Sequence, residues 1–238
     1  MKLAIMQPYL FPYLGYWQLI NAVDCFVIYD DVAYIKQGYI NRNIILVGSE
    51  QKRITLEVIG ASSNKLINQI NVGNNAQKLM KTIRYAYSKA PYFEEVFPLL
   101  MHILKNNEKN LAVFLAYSLK EISSYLGIDT QFVYSSNIEK NNNLKSQDKV
   151  IDICKKTGAK CYINSIGGQK LYQESLFEEN GIILKFIRSK QIEYSQFNNV
   201  FIPNLSIIDV MMFNSPDVIR RYLSCYNLIK GTNQLIKK

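Results

Sequence analysis

The sequence predicts an α/β fold with a mainly parallel sheet, helices on both faces and a helical insertion at about residues 76–127. Three observations lead there. The chain opens on a strand, loop, helix, strand unit; its last third alternates strands and helices as βαβαβ; and two helices with apolar stripes stand between them. Strands joined through a helical crossover pair in parallel, which makes the sheet mainly parallel.

Residues Lys2 to Met6 read as a short buried strand, followed by a loop rich in Pro and Tyr and a helix from Tyr16 to Val23. Cys25 to Tyr29 is the second strand, closed by Asp30 and Asp31. Arg53 to Ile59 alternates apolar and polar residues as a half-buried strand does. Helices follow at about Ala76–Lys89, stopping before Pro91, and Lys109–Leu126, stopping at Gly127. The last third gives strand Gln131–Tyr134, helix Ser146–Lys156, strand Lys160–Asn164, helix Lys170–Glu179 and strand Ile182–Arg188. Ser215-Pro216-Asp217 is a helix start leading into Val218–Tyr226, with Ser as cap and Pro in the first turn. The polar stretch Asn137–Lys145 reads as a mobile surface loop. With 238 residues the chain can bury a sizeable core, and we expect one α/β domain over 1–230 with a frayed tail at 231–238.

Composition narrows the function classes. Four cysteines, far apart and without a C-x-x-C pair, and a single histidine give no zinc-site spacing, so no metal is expected. Lys2 is followed by an apolar run that stops at Gln7 and Pro8, too short for a signal peptide, and no stretch is long enough for a membrane span. Reduced thiols and absent targeting point to the cytoplasm. The formal charge of +9 favours phosphate-bearing partners. The lysines are dispersed, however, and no zinc-finger or RNP signature accompanies them, so nucleic acid is not the expected partner.

The densest chemical constellation runs from Gln7 to Trp17. It follows a strand and precedes a helix, so its backbone lies at the carboxyl edge of the sheet, where open α/β folds place ligands. Gln7, Tyr9, Tyr13 and Tyr16 can stack on and hydrogen-bond a base or sugar, and Gly15 sits at the helix start, where backbone amides accept a phosphate or carboxylate. The competing reading is a rigid turn packed into the core. Asp30 and Asp31 end the second strand; adjacent strand residues face opposite sides, so one of them can reach the cleft as a general base. Both can equally be turn formers. Lys36, Asn41, Arg42 and Asn43 combine a fixed positive charge with planar hydrogen-bonding groups, and Arg42 suits bidentate phosphate binding. The alternative there is a solvated strand edge. Ser165, Gly167 and Gly168 follow a strand and open the helix carrying Tyr172, a junction that permits close approach by a ligand but lacks the G-K-[ST] of a Walker loop. Asp209 reads as an inward polar anchor of a buried helix, and His102, on an apolar stretch, as a structural residue.

The stretches MQPYLFPYLGYWQLINAVDCFVIYDDVAYIKQGYINRN, KAPYF, YINSIGGQKLYQESLFEENGI and NLSIIDVMMFN together resemble the WbqC-like protein family, over almost the whole chain. That resemblance implies a place among enzymes that make bacterial surface polysaccharides such as O-antigen. The opening also resembles the start of nucleotidylyltransferase-type Rossmann folds, which makes the sheet Rossmann-like. Tyr13-Leu14-Gly15-Tyr16 stands where that superfamily has His-x-Gly-His; the missing histidines remove its adenylyl-transfer chemistry and leave nucleotide binding. The expectation is a transferase modifying a nucleotide-linked amino sugar by acyl or aminoacyl transfer, with an acyl donor or ATP as possible cosubstrate. A non-catalytic nucleotide-sugar-binding or scaffold protein and an ATP-dependent carboxylate-amine ligase are the alternatives.

Overall fold

The computed structural model describes residues 1–197 and 200–231. Five parallel strands form most of the central sheet: β1 (Lys2–Met6), β2 (Cys25–Ile28), β7 (Gln131–Tyr134), β8 (Cys161–Ser165) and β9 (Ile183–Ser189). A sixth, β10 (Tyr226–Lys230), joins antiparallel to β9, and the spatial order is β10-β9-β8-β1-β2-β7. The order therefore runs outward from β1 in one direction, then reverses and continues from β8 in the other.

Side chains alternate across the strands, and both faces are covered. Leu3 and Ile5 of β1 and Cys25 and Val27 of β2 pack with Val150, Ile153 and Cys154 of helix α5 (Ser146–Lys156) and Phe177 of α6 (Glu174–Glu179). Ala4, Phe26 and Ile28 join the larger core on the other face, with α1 (Leu14–Asn21), α2 (Ala76–Tyr87), α3 (Phe93–Leu104), α4 (Leu111–Leu126), α7 (Ile207–Phe213) and α8 (Pro216–Leu223). Strands buried on two sides need no polar face, which explains the unbroken apolar runs of β1 and β2. Two small antiparallel pairs stand apart from this sheet: β3 (Arg42–Val47) with β4 (Glu50–Thr55), and β5 (Val58–Ile59) with β6 (Asn71–Val72).

Several expectations change. The strand expected at Arg53–Ile59 breaks at Leu56, whose amide donates to Asn41 O at 2.7 Å and whose side chain is buried, so the chain leaves one hairpin and enters another. Three helices rather than two occupy the insertion, because Phe93–Leu104 continues as a helix through Pro98. The helix expected from Lys170 begins only at Glu174, after a 3₁₀ segment at Ile166–Leu171. The last helix ends at Leu223, so Tyr226 starts β10 instead of closing a helix. Ser215 caps that helix as expected, accepting from Val218 N at 3.3 Å. From residue 232 onward the expected frayed tail lies outside the described residues. No helix among those described is long and apolar enough to cross a membrane.

Candidate functional site

Parallel pairing of β1 with β8 puts the loop after Met6 and the loop after Ser165 on one carboxyl edge. The first of these loops is held from several sides. Asn43 Nδ2 donates to Leu10 O and Phe11 O at 2.9 and 2.8 Å, Ser206 Oγ donates to Phe11 O at 2.7 Å, and Trp17 Nε1 donates to Pro12 O at 2.9 Å. Phe11, fully buried, takes the left-handed conformation with φ 44°, a strained state for a bulky residue that the surrounding bonds maintain. Tyr16 is buried and its hydroxyl donates to Gln7 O at 2.8 Å, while Tyr9 and Tyr13 stay half-buried. Burial raises the hydroxyl pKa of Tyr9, Tyr13 and Tyr16 above the ordinary value, so all three are neutral donors at neutral pH. Gln7, Tyr9 and Tyr13 are thus the members of this loop that solvent can reach.

Asn41 and Asn43 are internal ties. Asn41 accepts from Tyr34 Oη and donates to Leu56 O, both at 2.7 Å, and both asparagines are buried. Arg42 between them is half-buried and lines an 80 Å³ recess with Tyr39 and Arg53, its Nε buried and without an acceptor. Lys36 is exposed on the preceding loop.

The two aspartates have separate environments. Asp30 is 3 % exposed and saturated: Oδ1 accepts from Ser136 N at 2.9 Å, and Oδ2 from Ser136 Oγ at 2.6 Å and Asn68 Nδ2 at 3.2 Å. It clamps the end of β7 to the 3₁₀ turn at Ile67–Gln69. Asp31 Oδ2 lies 2.8 Å from Lys140 Nζ and 3.4 Å from Lys149 Nζ. Burial pushes its carboxyl up, but the two ammonium groups outweigh that and hold it below the ordinary carboxylate value. Asp31 Oδ1 and the Ser135 hydroxyl are buried without a well-formed hydrogen bond, although Ser135 is near enough to help lower that pKa. Lys149 Nζ also sits 5.5 Å over the ring of Tyr29, whose hydroxyl is pushed well up by burial and by the charge of Asp31, with a smaller contribution from Tyr172. Asp31, Tyr29 and Tyr172 therefore share one neighbourhood on the α5 face.

At the second loop, Asn164 Nδ2 donates to the hydroxyls of Tyr162 and Tyr172 at 3.0 and 3.1 Å. Gly168 is buried against that amide; a Cβ there would lie 3.1 Å from Asn164 Nδ2, so the close approach is internal. Gly167 is exposed and Ser165 half-buried.

On the opposite, α1 face of the same edge lies a cavity of about 510 Å³ bordered by Tyr13, Gly15, Gln18, Ser189, Lys190 and Tyr194. Below it, fully buried Asp209 accepts from Tyr87 Oη and Tyr194 Oη at 2.8 Å and from Gln196 Nε2 at 2.7 Å. Of the residues expected in one cleft, Tyr13 and Gly15 line this cavity on the α1 face, while Asp31 pairs with Lys149 and Tyr172 packs in the core on the α5 face. Sequence reasoning missed Lys140, Lys149, Tyr29, Ser189 and Lys190. One signal was available, because Lys149 occupies the inward stripe of α5 beside Val150, Ile153 and Cys154, where a lysine needs a partner.

These features define an α/β protein with a mostly parallel sheet, whose carboxyl edge carries a cationic cluster on one face and a cavity on the other. The sequence profile described as the WbqC-like protein family matches residues 7–221. The chain belongs to that family. It is also similar to the Mycobacterium tuberculosis protein Rv1507c, itself described as uncharacterized, with 30% identity over 228 residues, covering 92% of this chain and 97% of that protein. No solved structure matches it.

Proposed function

We propose that the chain is a transferase acting on a nucleotide-linked amino sugar in bacterial surface-polysaccharide synthesis, moving an acyl or aminoacyl group onto the sugar amine. The observation that carries this reading is the cluster of Asp31, Lys140 and Lys149 beside Tyr29 and Tyr172. Two ammonium groups on one carboxylate leave a net positive charge at the carboxyl edge, the place where phosphates bind in open α/β sheets. The strand order supports the same reading. It reverses between β1 and β8, where the Gln7 and Ser165 loops emerge.

In this reading Lys149 meets the diphosphate and Lys140, its side chain only 2% exposed, serves as the internal counter-charge. Arg42 and Lys36 add phosphate contacts, and Tyr9 flanks the base or sugar. The Asp31 carboxylate, its side chain 12% exposed, accepts a hydrogen bond from the sugar amine and orients it toward the acyl carbon; a C–N bond forms, the donor's leaving group departs, and the amine proton is released. The lowered pKa makes Asp31 a weak proton acceptor, so its part is orientation more than base catalysis. The saturation of Asp30 and the ion pairing of Asp31 also favour a second reading, a nucleotide-sugar-binding protein without turnover.

Thermal shift against nucleotide sugars tests the proposal. A ligand at about 100 times its Kd adds about 2.7 kcal/mol of stability, and Lys149→Met should remove most of that gain. Absence of any shift across nucleotide sugars sinks both readings. Binding that survives in Asp31→Asn while turnover is lost supports the transferase, and binding without turnover in the unaltered chain supports the second reading.

A further inference from the structure

The cavity on the α1 face has no part in the nucleotide-sugar reading, and its chemistry is specific. Its walls are largely apolar and aromatic: Leu14, Tyr194, Phe201, Pro203, Leu205 and Val210. Tyr194 spends its hydroxyl on Asp209 and packs edge-on against Phe201 at 5.0 Å, so this wall is a ring surface. A volume of about 510 Å³ is that of a small-molecule site.

The polar groups are few and their directions are fixed. Gln18, fully buried, donates through Nε2 to Tyr222 O and Cys225 O at 2.8 and 3.1 Å, so its Oε1 must face the other way as an acceptor. Ser189 Oγ gives its single proton to that Oε1 at 2.5 Å. What Ser189 can offer the cavity is therefore lone pairs, which require a ligand N–H or O–H. Beside it Lys190 is exposed and makes no ion pair among the described residues, and the amide of Gly15 has no acceptor there. Both call for an anion. Glu193 lies on the same rim, its Oε1 accepting from Gln191 Nε2 at 2.7 Å, and it supplies the opposite charge. Gly15 is what lets these groups converge: a Cβ would lie 2.7 Å from the Tyr13 ring and 3.0 Å from Ser189 Oγ.

We propose that this cavity binds an apolar α-amino acid, with its carboxylate on Lys190 and the Gly15 amide, its ammonium group on Ser189 Oγ and Glu193, and its side chain among Tyr194, Phe201 and Leu205. An anion, a hydrogen-bond donor and an apolar body within one small molecule are the three things the lining demands. The site rests on the cavity alone and holds or fails independently of the nucleotide-sugar reading.

Calorimetry on the full chain without nucleotide tests it, using L-phenylalanine, phenylacetate, which lacks the amine, and phenethylamine, which lacks the carboxylate. L-Phenylalanine binds saturably and each analogue is weaker by about tenfold or more, the size of one lost charge-assisted hydrogen bond. Lys190→Gln, at an exposed position that should not disturb folding, weakens L-phenylalanine and phenylacetate by about tenfold and leaves phenethylamine unchanged. No saturable heat with L-phenylalanine overturns the proposal, as does unchanged affinity in Lys190→Gln, or phenethylamine binding as tightly as the amino acid.

Discussion

Asp31 and Asp209 are two inward-facing carboxylates with opposite electrostatics. Asp209 is the deeper of the two, receiving three hydrogen bonds, all from neutral donors: Tyr87, Tyr194 and Gln196. Burial wins there and the carboxyl is raised above its ordinary value despite those donors. Asp31 has fewer hydrogen bonds but two ammonium neighbours, and its carboxyl is lowered. Neutral donors organise a buried acid without supplying what its charge lost on leaving water; cations supply it. One carboxylate is consequently an anchor tying α7 to α2 and the chain at Tyr194, and the other is part of a charged centre that can meet a charged ligand.

Truncating the anchor should have the larger effect. Asp209→Ala strands two tyrosine hydroxyls and an amide in the interior and should lower the unfolding free energy by about 4 kcal/mol in urea titration, whereas Asp209→Asn, which keeps an acceptor, should cost about half of that. Equal losses would show that the tyrosines require the negative charge and not merely the oxygen atoms. Lys140→Met comes next, at about 2 kcal/mol, less than a fully buried pair would lose because Lys149 remains on Asp31. The same variant should move the Asp31 carboxyl upward in an NMR titration; an unmoved value would assign the lowering to Lys149 and Ser135.

The smallest effect, and the most direct contrast, is in the pH dependence. Asp31 has a folded value below the ordinary 3.8, so its contribution is fully present above 3.8 and is lost as pH falls through the folded value. Asp209 has a folded value above 3.8, so the fold binds that proton more tightly; its contribution is present below 3.8 and is lost as pH rises through the folded value. Stability followed by denaturation at successive pH values should therefore fall less steeply in acid for Asp31→Asn than for the unaltered chain, and more steeply for Asp209→Asn. Slopes that shift in the same sense would remove the contrast.

How much of this could be read in the sequence depended on where each element finds its partners. The strands Lys2–Met6 and Gln131–Tyr134 and the helix Ser146–Lys156 were legible to the residue, since local apolar pattern and turn residues determine them. Helix Phe93–Leu104 was obscured by Pro98, and β10 by its short run of mixed polar and apolar residues, largely exposed on the sheet edge. In the candidate site, Tyr13 and Gly15 do border a cavity, but Asn41 and Asn43 spend their amides on backbone carbonyls, which no spacing rule reveals. Lys140 lay in a stretch read as a mobile surface loop because only the folded chain brings it to Asp31, more than a hundred positions away.

The hydrogen bond from Trp17 to Pro12 has a practical side. This is the chain's single tryptophan, fully buried, on the helix that borders the cavity and bonded to the loop leading into it. Its emission should be blue-shifted in the intact protein and should report one place only, so an ordinary fluorimeter can follow the Gln7–Tyr13 loop without a label, in every variant that keeps Trp17.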